Sequence, residues 1–551
     1  MNPVTLTIDG RTVSVESGRS ILEAARRNGI EIPTLCFHEA LPDRGSCWLC
    51  IVELKGQNRF IPACNTTATE GMVVETDNAT LQGMRRQSLE RIVAQHCGDC
   101  LGPCEVSCPA GCNIPGFVSA IASGRDRDAM SIIMETIPLP GILGRVCPAP
   151  CEEACRRHGV DDPVSICALK RYAADRDAVS GEPFVPKVAE STGKRVAVVG
   201  AGPAGLTAAY YLLGAGHGVT LIDANEQPGG MMRYGIPRFR LPETVIEEDI
   251  RPIRAMGAEF RMSTRFGTDT DWNSLSQEHD ALLLAVGANV AAPMGIPGEE
   301  HPLVVSGIDF LREASTGEPG YAGERVIVIG GGNTAVDAAR TALRLGAEEV
   351  TIMYRRGREQ MPANPQEIAE AEAEGVHLRL LSAPVELCSV PGGVVVRGVS
   401  MELGEPGPDG RRSPVPVEGS EFELQADLVI AATGQAVEAP ADALPGLGIG
   451  RNGTIGAAEG SARTELPGVF ACGDCVSGPD LAITALAQGR FAAIEIDRFL
   501  RGLPFEPMQP AFNSSYGERD HAPAPFYERA KPATRIPVPE LEASSRSGSF
   551  E

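Results

Sequence analysis

Long apolar runs are missing from this chain of 551 residues. Stretches such as Ala281-Leu282-Leu283-Leu284-Ala285-Val286 suit a buried strand and fall far short of the roughly 18 residues of a membrane span. Positive charge is also scarce: 49 Lys and Arg stand against 72 Asp and Glu, a formal charge of −23. That balance argues against sequence-independent nucleic-acid binding and against docking on anionic lipid, which both need basic excess. The first residues, Met1-Asn2-Pro3-Val4-Thr5, have neither a basic nor an apolar leader segment, so a cytoplasmic protein is expected. Cysteine is nearly absent from the later part: only Cys388, Cys472 and Cys475 lie beyond residue 168, and the other 13 of 16 precede it. Dense cysteine at short spacings, without an export signal, points to metal rather than to disulfides. With 43% hydrophobic and 22% charged residues the chain can build several cores, and at about 150 residues per domain three or four are expected.

Val4, Leu6 and Ile8 alternate with polar residues, Asp9-Gly10 supplies a tight turn, and Thr12-Val13-Ser14-Val15 returns, which predicts a hairpin. Ser20 and Glu23 form a capping-box signature for a helix that Gly29 ends. From about 85 to 175 the pattern is helical with Cys/Pro/Gly loops, and Gly181–Gly193 reads as a linker. Strand-glycine-helix units then alternate to about residue 500, which predicts parallel doubly wound sheets. A proline-rich tail follows, extended over a surface or partly disordered.

Cys36, Cys47, Cys50 and Cys64 form C-x10-C-x2-C-x13-C. Four thiolates on loops of a small β-rich domain can hold a [2Fe–2S] cluster, each iron taking two sulfurs. A four-cysteine zinc site is the alternative, although such sites usually pair two short C-x2-C knuckles. The long first gap resembles the N-terminal ferredoxin domain of the complex I large subunit and of iron-only hydrogenases, which implies a β-grasp fold. Next, Cys97-x2-Cys100-x3-Cys104-x3-Cys108-Pro109 comes close to the bacterial ferredoxin run, and Cys147-x3-Cys151-x3-Cys155 follows as a second group. The combination resembles the helical double-[4Fe–4S] domain of the glutamate synthase small subunit and dihydropyrimidine dehydrogenase. The resemblance implies that Cys97, Cys100, Cys104 and Cys155 hold one cluster, and Cys108, Cys147 and Cys151 three corners of the other. In that family a Glu or Gln after a Pro-x-x-Ile segment supplies the fourth corner. Here the segment is Pro163-Val164-Ser165-Ile166 and the matching residue is Lys170, whose ammonium has no lone pair for iron. Cys167 or Cys112 can replace it, and either one can equally be a buried apolar cysteine. His96 reads as a flanking structural residue rather than a ligand.

Lys194–Val199 reads as a strand running into Gly200-x-Gly202-x-x-Gly205 and a helix, with Asp223 ending the next strand. The glycines let a pyrophosphate approach the helix N-terminus, and Asp223 can accept from a ribose hydroxyl. The unit recurs as Arg325–Ile329, Gly330-x-Gly332-x-x-Ala335 and a strand ending at Tyr354, where Arg355-Arg356 replace the acid. Guanidinium groups pair with a 2′-phosphate, so this copy is expected to take NADP(H) and the first copy FAD. Gly468-Val469-Phe470-Ala471-Cys472-Gly473-Asp474 resembles the late motif of two-dinucleotide flavoproteins, whose Asp meets the ribityl chain. It sets Cys472 and Cys475 near flavin as buried small residues rather than as a redox disulfide of the thioredoxin reductase kind. Pro228-Gly229-Gly230 through Gly235-Ile236-Pro237, and Tyr354-Arg355-Arg356 with Glu359-x-Met361-Pro362-Ala363, resemble glutamate synthase small-subunit motifs. Asn333 departs from the Asp usual there.

The expected architecture is α/β and multidomain: a β-grasp [2Fe–2S] ferredoxin-like domain at 1–80, a helical double-[4Fe–4S] domain and linker at 81–192, an FAD domain at 193–288 with 431–505, an NADP(H) domain at 289–430, and a tail at 506–551. NADPH gives only hydride and clusters accept single electrons, so FAD belongs between them. No nucleophile–base pair stands out, and no side chain is nominated as catalytic. The expectation is an NAD(P)H-dependent electron-transfer subunit serving a partner such as a formate dehydrogenase, hydrogenase, aldehyde oxidoreductase or metal-reducing complex. A glutamate synthase small subunit and a non-enzymatic iron–sulfur redox sensor are the alternatives.

Overall fold

The computed structural model describes residues 3–38, 45–96, 98–317, 323–407, 412–450, 453–507, 513–517, 527–528, 530–546 and 549–550. It divides into two compact units, 1–100 with 512–517, and 101–511 with 518–551.

In the first unit, β1 (Pro3–Ile8) and β2 (Arg11–Glu16) pair antiparallel across a turn in which Asp9 (φ 48°) and Gly10 (φ 76°) are both left-handed, the geometry that suits a two-residue hairpin. Helix α1 (Ile21–Arg27) starts on the full Ser20/Glu23 capping box and buries Ile21, Leu22, Ala24 and Ala25. With β3 (Ile51–Leu54), β4 (Arg59–Pro62) and β5 (Val73–Glu75) the sheet order is β2-β1-β5-β3-β4, with β1 and β5 parallel. Its core is Leu6, Ile8, Val13, Val52, Val74 and their neighbours. Helix α2 (Ala79–Ala94) follows, capped by Asn78 and burying only Leu81.

The second unit begins with short helices, α3 (Ile114–Ala122), α4 (Asp126–Met134), α5 (Pro140–Val146) and α6 (Ile166–Ala178). Then come β6 (Arg195–Val199), α7 (Pro203–Gly214), β7 (Gly218–Ile222), α8 (Glu243–Ala255), β8 (Glu259–Arg261) and β9 (Ala281–Leu284). A two-stranded antiparallel ribbon, β10 (Val290–Ala291) with a later strand, leads into β11 (Val304–Ser306), α9 (Gly307–Thr316), β12 (Arg325–Ile329), α10 (Asn333–Arg344), β13 (Glu349–Met353), α11 (Pro365–Ala373) and β14 (His377–Arg379). The chain continues through β15 (Ser382–Val390), β16 (Gly393–Pro406), β17 (Arg412–Ala426), β18 (Leu428–Ala431), β19 (Gln435–Ala436, the partner of β10), β20 (Val469–Ala471) and α12 (Ala482–Leu500).

Two parallel five-stranded sheets result, β20-β9-β6-β7-β8 and β11-β18-β12-β13-β14. After a leading arginine, the central strands β6 and β12 are apolar and buried, as strands covered on both faces must be. One departure from the strand-helix alternation is the antiparallel sheet β15-β16-β17. The first half of β17 is mostly exposed, whereas Phe422, Leu424 and Ala426 in its second half alternate inward against the core and Glu421, Glu423 and Gln425 face out.

One core joins the helical segment to the first parallel sheet: Ile133, Leu139, Ile142 and Leu143 pack with Leu206, Ile246 and Ile250. Within it, the buried Asp249 carboxylate of α8 accepts from Gly141 N–H (3.1 Å) and Ile142 N–H (2.7 Å) at the start of α5. No described helix is long and apolar enough to cross a membrane.

Candidate cofactor sites

A cleft opens at the carboxyl ends of the first parallel sheet, lined among others by Gly200, Gly202, Asp223, Gly230, Thr264 and Asp474. Gly200 has φ +108°, and a Cβ there would stand 2.1 Å from Ala285 O; one on Gly205 would stand 1.9 Å from Gly200 O. The glycines therefore seat the first turn of α7 against the sheet and leave its N–H groups open to the cleft. Asp223 is fixed by Ala201 N–H (2.7 Å) and by the backbone and side-chain N–H groups of Asn225 (both 2.8 Å). Pro228-Gly229-Gly230 closes the other wall, with Gly229 N–H donating to Ala201 O at 2.8 Å. Burial pushes the Asp474 carboxyl up to about 6, and its Oδ1 is buried with no protein partner. An orphaned acceptor in a glycine-walled cleft suits a hydroxylated dinucleotide. Gly473 is held by Gln488, whose Oε1 accepts its N–H at 2.7 Å. The thiols of Cys472 and Cys475 are free and buried. Burial raises both, Cys475 to about 11, and the Cys475 thiol donates to Cys472 O at 3.1 Å.

The second parallel sheet repeats the turn. A Cβ on Gly330 (φ +150°) would stand 2.3 Å from Ala432 O, and one on Gly331 2.4 Å from the Tyr354 ring. Asn333, first residue of α10, accepts Asn364 N–H at 3.0 Å, and Ala363 N–H donates to Gly331 O at 3.2 Å. Met361-Pro362-Ala363 thus folds over the glycine loop, and Tyr354 braces it by donating to Gln360 O (2.7 Å). Past the strand end Arg355 is exposed, while the half-buried Arg356 has a buried Nε without a protein partner. Both guanidinium groups are available to a phosphate.

Of the first cysteine group, Cys47, Cys50 and Cys64 are buried and Cys36 half-buried. Burial pushes the Cys36 thiol up, but hydrogen bonds from Cys47 and Ser46 outweigh it and bring it to about 7. Trp48 turns the Cys47–Cys50 loop in a left-handed conformation (φ 58°). Arg85 of α2 braces it, donating to Leu49 O (3.0 Å) and Ile51 O (2.7 Å). Arg85 escaped the sequence reading because 34 or more residues separate it from these partners.

Cys97 lies outside the described residues. Cys100, exposed, belongs to the first unit, where its N–H donates to Ser514 O (2.8 Å) and the His96 imidazole stands 3.9 Å from its sulfur. Cys104 and Cys155 are electrostatic neighbours in the second unit, and burial raises the Cys104 thiol.

The remaining thiols gather where α5 ends and α6 begins. Cys147 caps α5, and its thiol is lowered to about 6, first by a hydrogen bond from Cys167, against burial, with Lys170 assisting. The Cys167 thiol rises correspondingly and also reaches Leu143 O at 3.3 Å. Burial raises Cys151 to about 12, with Cys147 and Cys108 among its electrostatic neighbours. Cys112, raised by burial to about 11, has Thr136 and Cys108 as neighbours. Glu152 ties this corner together: Oε1 accepts Cys167 N–H (2.8 Å) and Oε2 pairs with Arg535 (2.7 Å) of the C-terminal segment. A charged residue between two cysteines of a C-x3-C group was the available signal for Glu152.

Three families match in succession: a 2Fe-2S iron-sulfur cluster binding domain over residues 1–79, dihydropyrimidine dehydrogenase domain II, 4Fe-4S cluster, over 76–182, and pyridine nucleotide-disulphide oxidoreductase over 194–489. The NADP(+)-dependent formate dehydrogenase subunit beta of Moorella thermoacetica is 42% identical over 425 residues, 72% of this chain and 60% of that protein. The NADPH-Fe(3+) oxidoreductase subunit beta of Geobacter sulfurreducens is 41% identical over 430 residues, 72% and 63% of the two chains. The chain therefore spans less than two thirds of the length of these two relatives. The glutamate synthase [NADPH] small chain of Azospirillum brasilense is 35% identical over 441 residues, 76% of this chain and 90% of that one. With its glycine cradles and thiol groups laid out in this order, the chain belongs to the pyridine nucleotide-disulphide oxidoreductase family, among the NADPH-dependent iron–sulfur flavoproteins that include the glutamate synthase small chains.

Proposed function

We propose that this chain is a cytoplasmic electron-transfer subunit that moves electrons between NADPH and a partner oxidoreductase of the formate dehydrogenase, hydrogenase, aldehyde oxidoreductase or metal-reducing kind. The observation that carries the reading is the shared core: α5 starts on Asp249 of the dinucleotide fold and ends on Cys147, a span of about 10 Å at 1.5 Å per residue. FAD, when bound, exchanges the two-electron hydride of NADPH for the single electrons that clusters accept. The chain's own residues bind and orient. Gly200, Gly202, Gly205, Gly229 and Gly230 admit the flavin nucleotide, Asp223 and Asp474 accept from its hydroxyls, and Gly473 shapes the loop. Gly330, Gly332 and Asn333 receive the second nucleotide, and Arg355 with Arg356 recognise its 2′-phosphate. Cys36, Cys47, Cys50 and Cys64 hold the [2Fe–2S] cluster, which extends the path toward the partner. Cys97, Cys100, Cys104 and Cys155 hold one [4Fe–4S] cluster. Cys108, Cys147, Cys151 and Cys167 hold the other, with Cys167 favoured over Cys112 by its hydrogen bond to Cys147.

Anaerobic addition of NADPH tests the function. Bleaching of flavin and cluster absorption together is expected, and no bleaching in cofactor-replete protein would overturn it in favour of a redox sensor. C167S should degrade one [4Fe–4S] signal in electron paramagnetic resonance and leave the other intact; full cluster content would return the fourth corner to Cys112 or a non-cysteine group. A glutamate synthase small-chain role is the second reading, favoured by the 90% coverage of that relative. Co-purification with a large synthase subunit would establish it.

A further inference from the structure

Lys170 is a charge where none is expected. It sits on α6 three residues after Cys167, on the same helix face, and is only 6% exposed. Burying an ammonium is strongly unfavourable unless an opposite charge compensates. Its electrostatic neighbours are the sulfurs of Cys167, Cys147, Cys151 and Cys108, a set that becomes anionic when it holds a cluster. The nearby carboxylate of Glu152 is already engaged by Cys167 N–H and by Arg535. These are the same four thiols assigned above to one cluster, three of them through the resemblance and Cys167 as replacement for the Glu or Gln that the family carries at position 170. The exchange is therefore double. A cysteine takes the ligand place and a cation takes the place of the family's Glu or Gln, so the corner gains a positive charge.

We infer that Lys170 is a built-in counter-charge of the Cys108/Cys147/Cys151/Cys167 cluster, stabilising its reduced state and raising its midpoint potential. The inference rests on the reading that these four thiols hold a cluster. Reduction adds one electron to an already anionic group, and a fixed positive charge in a water-poor site favours the more negative state. Lys170 neither ligates iron nor moves a proton. It acts as a positioning residue for electrons, setting where this cluster falls in the sequence of potentials between the flavin and the partner.

The test is a redox titration of the full chain, anaerobically loaded and followed by electron paramagnetic resonance, in wild type, K170M and K170R, with iron counted in each. In K170M the midpoint of this one cluster should fall by at least 59 mV, a tenfold change in its one-electron reduction constant. The other clusters and the flavin should keep theirs, and K170R should stay near wild type. Loss of the cluster in K170M with K170R intact also supports the inference, because charge is then what holds the anionic group. A full cluster in K170M at an unchanged midpoint overturns it. So does loss of the cluster in both variants, which makes Lys170 a packing residue. Wild-type protein lacking a second [4Fe–4S] signal would instead overturn the ligand reading beneath it, and iron content separates that failure from the others.

Discussion

The two dinucleotide halves share the order of four of their five strands, a glycine turn and a helix, yet they are held in the molecule by different forces. The half proposed to take flavin is joined to the cysteine-bearing helices through one continuous apolar core, with Asp249 as a buried polar tie inside it. The half proposed to take NADP(H) keeps cores of its own and meets its neighbour through the β10–β19 ribbon, ion pairs and the Phe239 ring, over which Arg340 and Arg344 lie. Arg240 makes two bonds to Asp337 of α10 (2.8 and 2.7 Å) and reaches Glu367 of α11. Apolar burial is non-directional and fixes one arrangement, which suits a distance that electrons must cross repeatedly. Ion pairs can be exchanged for others, which suits a half that has to admit and release a soluble nucleotide.

The largest expected effect breaks that contrast at Arg240. R240A would leave Asp337, whose side chain is 5% exposed, a buried acid without its hydrogen-bonded partner and with only Arg340 as an opposite charge nearby. Removing one partner of a buried pair costs about 3–5 kcal/mol. Denaturant unfolding should show a loss of that size confined to the NADP(H) half, with flavin still bound. A loss under about 1 kcal/mol would mean that the ribbon and apolar contacts, not the ion pairs, hold the halves together.

Proton linkage sharpens the contrast, because one buried acid in each half titrates with opposite sign. In the cofactor-free protein burial holds Asp474 near 6, above its ordinary 3.8. Its contribution is therefore full below pH 3.8 and is lost as pH rises through 6. Burial also opposes the charge of Glu374, but hydrogen bonds from Arg340 and Arg344 outweigh it and hold the group near 2, below its ordinary 4.5. That contribution is full above pH 4.5 and is lost as pH falls toward 2. Each is on the order of 3 kcal/mol at 1.36 kcal/mol per unit. Wild type should thus lose ground against D474N between pH 4 and 7, and lose its advantage over E374Q between pH 5 and 2. Parallel curves for either pair would remove the buried-acid assignment.

Much of this was legible in the sequence because it is local. The Asp9-Gly10 turn, the Ser20/Glu23 capping box and both strand-glycine-helix turns depend on residues within a few positions of one another, and all are found where their patterns put them. What escaped depends on partners far along the chain or on surfaces without an apolar period. Asp249 lies 107 residues from Ile142, and its only local sign was an acid on the Ile246/Ile250/Ile253 face of α8. The first half of β17 is mostly exposed, so period-2 patterning marked only the Phe422/Leu424/Ala426 stretch of its second half. The departure at Lys170 was visible as a missing ligand, but its burial among thiols was not, since helix spacing gives a face and not what covers it.

The smallest predicted effect concerns the charge that separates the two glycine turns. Asp223 ends the second strand of the flavin half and is fixed by three N–H groups, whereas Arg355 and Arg356 stand past the equivalent strand of the other half, one exposed and one with an unpartnered Nε. NADPH and NADH differ only in the 2′-phosphate, so a group that touches it changes their ratio and a group that touches the shared scaffold does not. Each charge-assisted contact is worth about 1.5–3 kcal/mol. Replacing both arginines by alanine should therefore lower the NADPH-over-NADH preference, measured as the ratio of kcat/KM values for dye reduction, by at least roughly tenfold. D223N should weaken flavin retention and leave that ratio unchanged, because the acid and the arginines serve different nucleotides. Equal losses of NADPH and NADH in the double arginine variant would show that the pair only supports the loop, and a ratio that moved in D223N would show that the two turns do not divide the nucleotides by charge.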